Sequence, residues 1–331
     1  MTKPGYIVLP DDGEDPWRAM RKRRASPSIT GDARVTTLRT ALEQAEQQFK
    51  AAASVGPESR PLNVFYGLSQ AGRAIAAAAQ SLTKQDWLLK GHGIHTEGMD
   101  TAATIADVKV VPESGLKSSF GRLSSVLGSA IPTCTLGDIW TRIWDAAAFE
   151  PLQPSRTDIP LAVSPVRSPA APGVTWPDGR IDVYVTLPAA FDRTTTWDEF
   201  VDLYPQVAGA MSETGHARAG LDWPNPGDTS LVLHWHGNTD AELATIRARF
   251  ADYKGYRIAV PVFAERTQPP HPLMLWWAAL HALSMLARYQ PDRWTEFIDV
   301  DRTESAVAVE YLLNAAVQVV PRLINQAFDE V

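Results

Sequence analysis

The sequence predicts an α+β protein that is mainly α-helical, a helical body with an inserted α+β middle region. Three observations predict it. Apolar residues recur at three- and four-residue steps near both ends of the chain, whereas strict apolar–polar alternation is confined to stretches between about residues 180 and 263. Prolines crowd the stretch from Pro151 to Pro177, where the pattern changes and helix is disfavoured.

Residues 1–33 hold Pro, Gly, Asp and the cluster Arg18, Arg21, Lys22, Arg23 and Arg24 without sustained periodicity, so they are expected to form an irregular basic arm, solvated or docked on an acidic surface. From Val35 to Ala53, Leu38, Leu42, Ala45 and Phe49 recur among Glu, Gln and Lys, which marks an amphipathic helix that Gly56 and Pro57 end. Pro61 opens a second, nearly all-buried helix over Leu62 to Leu82. The short connection makes the two an antiparallel pair, with Phe49 expected on the side of Phe65 and Tyr66. A Gly- and His-containing loop runs from Lys90 to Gly98, followed by a short strand at Val108 to Val111 and a short helix near Phe120 to Leu127. Leu136, Ile139, Trp140, Ile143 and Trp144 then form a helical stripe, read as core, over Leu136 to Ala148.

In the middle, Ile181, Val183, Val185 and Leu187 alternate with Asp182, Tyr184 and Thr186, and Leu231, Leu233 and Trp235 with Val232, His234 and His236, and both patterns read as strands. Arg257 to Phe263 reads as a third strand, with helices at Trp197 to Ala208 and Asp240 to Tyr253. Helix returns from Pro272 to Tyr289, breaks at Pro291 and closes from about Thr303 to Phe328. The expected organisation is an arm over 1–33, a helical domain over 34–150, an α+β insertion over 151–265, and helices over 266–331 that pack back on the helical domain.

A chain of 331 residues is long enough for two folding units. The net charge of −7 repels polyanions and argues against nonspecific nucleic-acid binding. One cysteine, Cys134, forms neither an intramolecular disulfide nor a cysteine-based zinc cluster. Met1 to Asp11 lacks a basic start followed by an apolar run, and the most apolar stretch, Leu273 to Ala287, is shorter than the ~20 residues of a membrane span. These features predict a cytoplasmic protein without a membrane segment.

The segments LEQAEQQFKAAASV, RPLNVFYGLSQAGRAIAAA, KGHGI, SSFGRLSSVLG and HPLMLWWAALHALSMLARYQPDRW carry a resemblance to the YaaC-like proteins, a bacterial family largely without an assigned activity. The first two also resemble the opening helix pair of HEPN domains, with Tyr66 and Arg73 at the matching positions. HEPN-like proteins include metal-independent ribonucleases of toxin and antiphage systems as well as inert assembly modules, so the resemblance implies a class and leaves the reaction open.

HEPN ribonucleases pair an Arg with a His about four to six residues away, a cation for the phosphate and an imidazole for the 2′-hydroxyl proton. Arg266 and His271 have that spacing, though Pro269 and Pro270 put them in a loop. A second candidate is a ligand site in which Lys90, His92 and His95 of the Gly-rich loop join Tyr66, Arg73 and Arg122 to hold a phosphate or carboxylate. The plainer reading pairs Arg73 and Lys90 with carboxylates and makes His92 a helix cap. His234 and His236 share one face of a strand, as in some metal sites, but no third ligand is evident beyond Asp240 or His271, so neither metal nor cofactor is expected. No nucleotide-binding glycine fingerprint, zincin helix or nucleophile elbow occurs.

The expected function is therefore a non-enzymatic helical interaction module, with a protein partner or a second copy of itself, in a bacterial stress or antiphage-type pathway. The alternatives are a HEPN-like effector directed at RNA or sensing a nucleotide, and a metal-dependent hydrolase built on His234 and His236.

Overall fold

The protein is described by a computed structural model, covering residues 15–113, 118–165, 180–186, 195–212, 230–236, 240–254, 256–264 and 266–331. It divides into two compact units, one of residues 10–154 and 270–331 and the other containing 155–269.

The helical unit opens with α1 (Pro16–Ala25), where an irregular arm was expected. The Asp15 side chain caps it by accepting from the Trp17 amide, and Pro16 stands in its first turn. What holds α1 in place is remote in sequence. Met20 is buried, Trp17 meets Phe49 at 5.5 Å, and Arg21, Arg23 and Arg24 pair with Glu46, Asp329 and Glu43. Three of the cluster's five cations are thus paired with the chain's own carboxylates. Met20→Ala is expected to cost about 2 kcal/mol of stability, from the cavity it leaves. Arg23→Ala, which removes an exposed pair, should cost less than about 1 kcal/mol, and urea denaturation separates the two.

Helices α2 (Asp32–Ser54) and α3 (Arg60–Ala78) form the expected antiparallel pair. Their termini cap each other: Arg34 donates to the carbonyls of Ala77, Ala79 and Leu82, and Arg60 donates to those of Ala52 and Val55. The Phe49 ring lies on Gly67, where a Cβ would approach within 2.8 Å, so it packs on Gly67 of α3 and on Trp17 and not on the side of Phe65 and Tyr66.

Beyond α3, β1 (Ile94–Glu97), β2 (Lys109–Pro112) and β3 (Cys134–Thr135) form an antiparallel sheet in that order, so part of the expected Gly–His loop is strand. Helix α4 (Ser119–Val126) precedes β3. The expected helix over 136–148 is broken into α5 (Leu136–Trp140) and α6 (Trp144–Phe149), because Ile143 is extended. The Trp140 indole donates to the Glu150 carbonyl.

The second unit contains β4 (Leu161–Pro165), β5 (Arg180–Thr186), α7 (Trp197–Leu203), β6 (Met211–Ser212), β7 (Ser230–His236), α8 (Asp240–Arg247), β8 (Ala251–Tyr253) and β9 (Tyr256–Ala259). Its antiparallel sheet runs β6-β7-β5-β4-β9-β8, with Val185 opposite Leu231 and Val183 opposite Leu233. Leu161, Val163, Val185, Leu233 and Trp235 pack with Phe200, Tyr204, Val207, Ile246 and Phe250. The third strand ends at Ala259 instead of Phe263, since Pro261 has no amide to donate and the Val262 amide bonds to Leu203 instead. The helix expected to reach Tyr253 stops at Arg247, and Lys254, at φ 51°, turns β8 back onto β9.

The chain returns to the helical unit with α9 (Pro272–Tyr289), α10 (Pro291–Ile298) and α11 (Ser305–Ala327). Helices α3, α9 and α11 pack on one another and bury most of the apolar side chains they carry, with Tyr66, Tyr289 and Val307 left exposed. Among the described helices, α11 is the one long and apolar enough to cross a membrane, and Leu312, Leu313, Val319 and Val320 on it are buried in the core of this unit.

Candidate functional site

Helices α3 and α9 approach closely because Gly72 has no side chain. A Cβ there would lie 2.5 Å from the Trp277 ring and 2.7 Å from Leu123. Trp277 and His281 are four residues apart on α9, so they share a face. Both meet Phe65 of α3 edge-on, at centroid distances of 6.3 and 5.1 Å. Each is buried, and Trp277 Nε1 and His281 Nδ1 have no hydrogen-bond partner, a state that costs about 1–3 kcal/mol per group.

Seven residues past His281, Arg288 donates from Nη1 to the Tyr66 hydroxyl at 2.7 Å and lies over the Tyr289 ring at 5.1 Å. Tyr66 and Tyr289 are 39% and 56% exposed, so this end of the seam presents aromatic rings and a guanidinium to solvent. The exposed His92 ring stands 5.5 Å from Phe65 and 6.0 Å from His281, connecting the buried imidazole to the surface.

His92 is placed by the loop around it. Gly91 and Gly93 adopt φ of 61° and 72°, the left-handed region. The Ser119 hydroxyl donates to the Gly91 carbonyl at 2.6 Å, the Phe120 amide to that of His92 at 3.0 Å, and the Glu113 amide to that of Gly93 at 3.0 Å. Ser118 caps α4 by accepting from Gly121. The loop therefore offers the Gly91 and His92 carbonyls to the start of α4. Gly93→Ala places a Cβ 2.0 Å from Ser118 Oγ at a positive φ and is expected to cost about 2–3 kcal/mol. Faster hydrogen exchange at the Phe120 amide would report the loss of the loop contact.

Of the expected ligand-binding residues, Tyr66 and His92 come to this seam. Arg73 is exposed on α3, seven residues or ~10 Å along the helix from Tyr66, with no bonded partner among the described residues. Lys90 is exposed and pairs through its backbone with Ser118. His95 turns to Glu97, and Arg122 to Asp86. Phe65, Trp277, His281 and Arg288 were not singled out as ligands; the available signal was a His inside the most apolar run and an Arg seven residues later, just past its end.

Arg266 and His271 belong to different units. His271 is the cap of α9: its Nδ1 accepts from the Leu273 amide and its Nε2 faces Glu330 at 3.1 Å, while its backbone amide donates to Ser129. Both ring nitrogens are committed to structure. Arg266 is exposed in the other unit, and its backbone amide donates to Phe263. Among the described residues no three His, Cys, Asp or Glu side chains gather as metal ligands. His234 and His236 lie on β7 opposite Asp182 and Arg180, and their side chains fall outside the described residues.

Burial, and next the charges of His92 and His95, push the His281 pKa down to about 3. At neutral pH its ring is an uncharged donor and acceptor. Burial pushes the Cys134 thiol up to about 12, with Asp138 adding to it, so this cysteine is not a nucleophile near neutrality.

Comparison with family models gives a match to the YaaC-like proteins over residues 15–328. No curated protein and no solved structure matches the chain.

Proposed function

Because the chain belongs to the YaaC-like family, matched from residue 15 to 328, we propose that it is a non-enzymatic helical interaction module that receives an anionic partner at the α3–α9 seam. The observation that carries this reading is the exposed Tyr66–Arg288 pair, flanked by Tyr289 and His92, on a chain whose net charge is −7. A guanidinium held between tyrosines offers planar, directional donors that match carboxylate or phosphate. A non-catalytic role is supported by His281, which stays neutral, and by His271, which is spent as a helix cap. The bacterial stress or antiphage setting is supported by the resemblance of α2 and α3 to the HEPN helix pair.

A second reading, an RNA-directed HEPN-like effector, is supported by the alternation of exposed rings and a guanidinium at Tyr66, Arg288 and Tyr289, which suits base stacking. Fluorescence anisotropy with a labelled acidic peptide and a labelled single-stranded RNA tests both. Arg288→Glu is expected to weaken binding of the preferred probe at least tenfold. Cleavage of the RNA by the purified protein would overturn the non-enzymatic reading, and an unchanged affinity in Arg288→Glu would move the recognition surface elsewhere.

A further inference from the structure

We infer that α1 is a releasable strap: charge holds it against α2 and the C-terminal end of α11, and an acidic protein segment that captures its cations lifts it off. The strap is independent of the α3–α9 seam.

Three features of α1 point to release. The first is its size. At 10 residues the helix is too short to persist alone, so it stands only while its contacts do. The second is the nature of those contacts. Trp17 against Phe49 and the buried Met20 anchor the first half, and Met20 is the one buried residue of the helix. The second half is held by charge: Arg21 on Glu46 and Asp15, Arg24 on Glu43, and Arg23 on Asp329 at 2.5 Å and over the Phe328 ring at 5.7 Å. The side chains of Arg21, Arg23 and Arg24 are 46, 34 and 25% exposed, so salt screens these pairs and a competing carboxylate reaches them. The third is the link to α2. Arg24 lies by Glu43, eleven residues or ~16 Å along α2 from Asp32. The seven steps from Ala25 to Asp32 reach about 23 Å, and residues 26–31 are exposed or half-buried, so α1 swings on this link without drawing a buried side chain of α2 after it.

The outer face of α1 supplies the handle. Arg18 and Lys22, one turn apart, are exposed and make no ion pair among the described residues. An acidic segment docked on them is placed to compete with Glu46 for Arg21, which follows Arg18 by three residues on the same helix. Trp17, the one ring of α1, is turned to Phe49, so nothing on the outer face stacks a base. Carboxylates already hold Arg21, Arg23 and Arg24, and they are the anions that match this face. Release bares the Glu46 carboxylate and the side of Phe49 that Trp17 covers, both buried while α1 is down, and so couples capture of an acidic partner to a newly open surface on α2.

Hydrogen exchange of the full chain at pH 7.5, followed by mass spectrometry, tests the strap. Raising NaCl from 50 mM to 0.5 M is expected to speed exchange of the α1 amides at least tenfold while α9 stays unchanged. A deca-glutamate peptide at low salt should have the same effect. Arg21→Gln combined with Arg24→Gln should show the fast exchange already at 50 mM. Arg18→Gln combined with Lys22→Gln should keep the native low-salt rate and lose most of the response to the peptide. The native chain in salt decides the matter if a variant does not fold. Exchange of α1 at the pace of α2 and insensitive to salt would make it a fixed part of the fold and overturn the inference. Release by salt and not by the peptide would overturn the acidic segment as its trigger, and release by a ten-nucleotide RNA alone would put a nucleic acid in its place.

Discussion

Trp277→Ala is expected to lower the unfolding free energy by about 3–5 kcal/mol, the usual cost of emptying a fully buried indole site. The ring lies where α3 comes closest to α9, against Gly72 and edge-on to Phe65, so its loss leaves a cavity that the helix backbones close poorly. A paired substitution shows whether this packing is specific. Gly72→Ala in the native protein adds a Cβ 2.5 Å from the Trp277 ring, and the overpacking, about 1–3 kcal/mol, outweighs the gain in helix propensity of about 1 kcal/mol. In the Trp277→Ala background the same Gly72→Ala change should become neutral or stabilising. Urea denaturation of the four proteins gives the coupling, and a value below about 0.5 kcal/mol would mean that the two positions do not share the contact described.

The second large effect is on acid stability. The folded-state pKa of His281 is lowered to about 3 from 6.5, because burial disfavours the charged ring and His92 and His95 oppose it. Below pH 6.5 the unfolded chain takes up a proton that the folded chain refuses until about pH 3, so this stability is complete above 6.5 and drains as the pH falls through that window. Its slope approaches about 1.4 kcal/mol per pH unit, or about 3 kcal/mol between pH 6.5 and 4. His281→Phe removes the titrating group without leaving a void. At pH 7 it is expected to stay within about 1.5 kcal/mol of the native protein, since the Nδ1 it deletes has no partner. At pH 4.5 it should be the more stable of the two. Parallel stability curves for the two proteins from pH 7 to 4.5 would rule out His281 as the source of the acid sensitivity.

The long helices were legible because their signal is local. Leu38, Leu42, Ala45 and Phe49 announce α2, Pro272 and the run behind it announce α9, and each helix appears within a few residues of its expected bounds. The strands β5 and β7 announced themselves by alternation in the same way. Helix α1 did not, because its support is Phe49, Glu43, Glu46 and Asp329, residues that no window around Met20 contains. The two-residue β3 exists only by pairing with β2, and β8 only by turning back on β9.

The candidate site divides along the same line. Tyr66 and His92 were identified from their own segments, but the sequence grouped them with Arg73, Arg122, Lys90 and His95 by proximity along the chain, and Arg122 and His95 turn out to serve Asp86 and Glu97. The groups that meet Tyr66 and His92 lie about two hundred residues away, on α9.

By itself the sequence determined the family, the mainly helical α+β class and which faces of the long helices are apolar, since periodicity and composition are properties of neighbouring residues. Only the tertiary structure decided that His281 is buried and uncharged, that Arg288 meets Tyr66, and that the glycine loop spends its carbonyls on α4. Those outcomes depend on which helix Gly72 allows to approach, and a close approach between distant segments is fixed by packing, which no local pattern records.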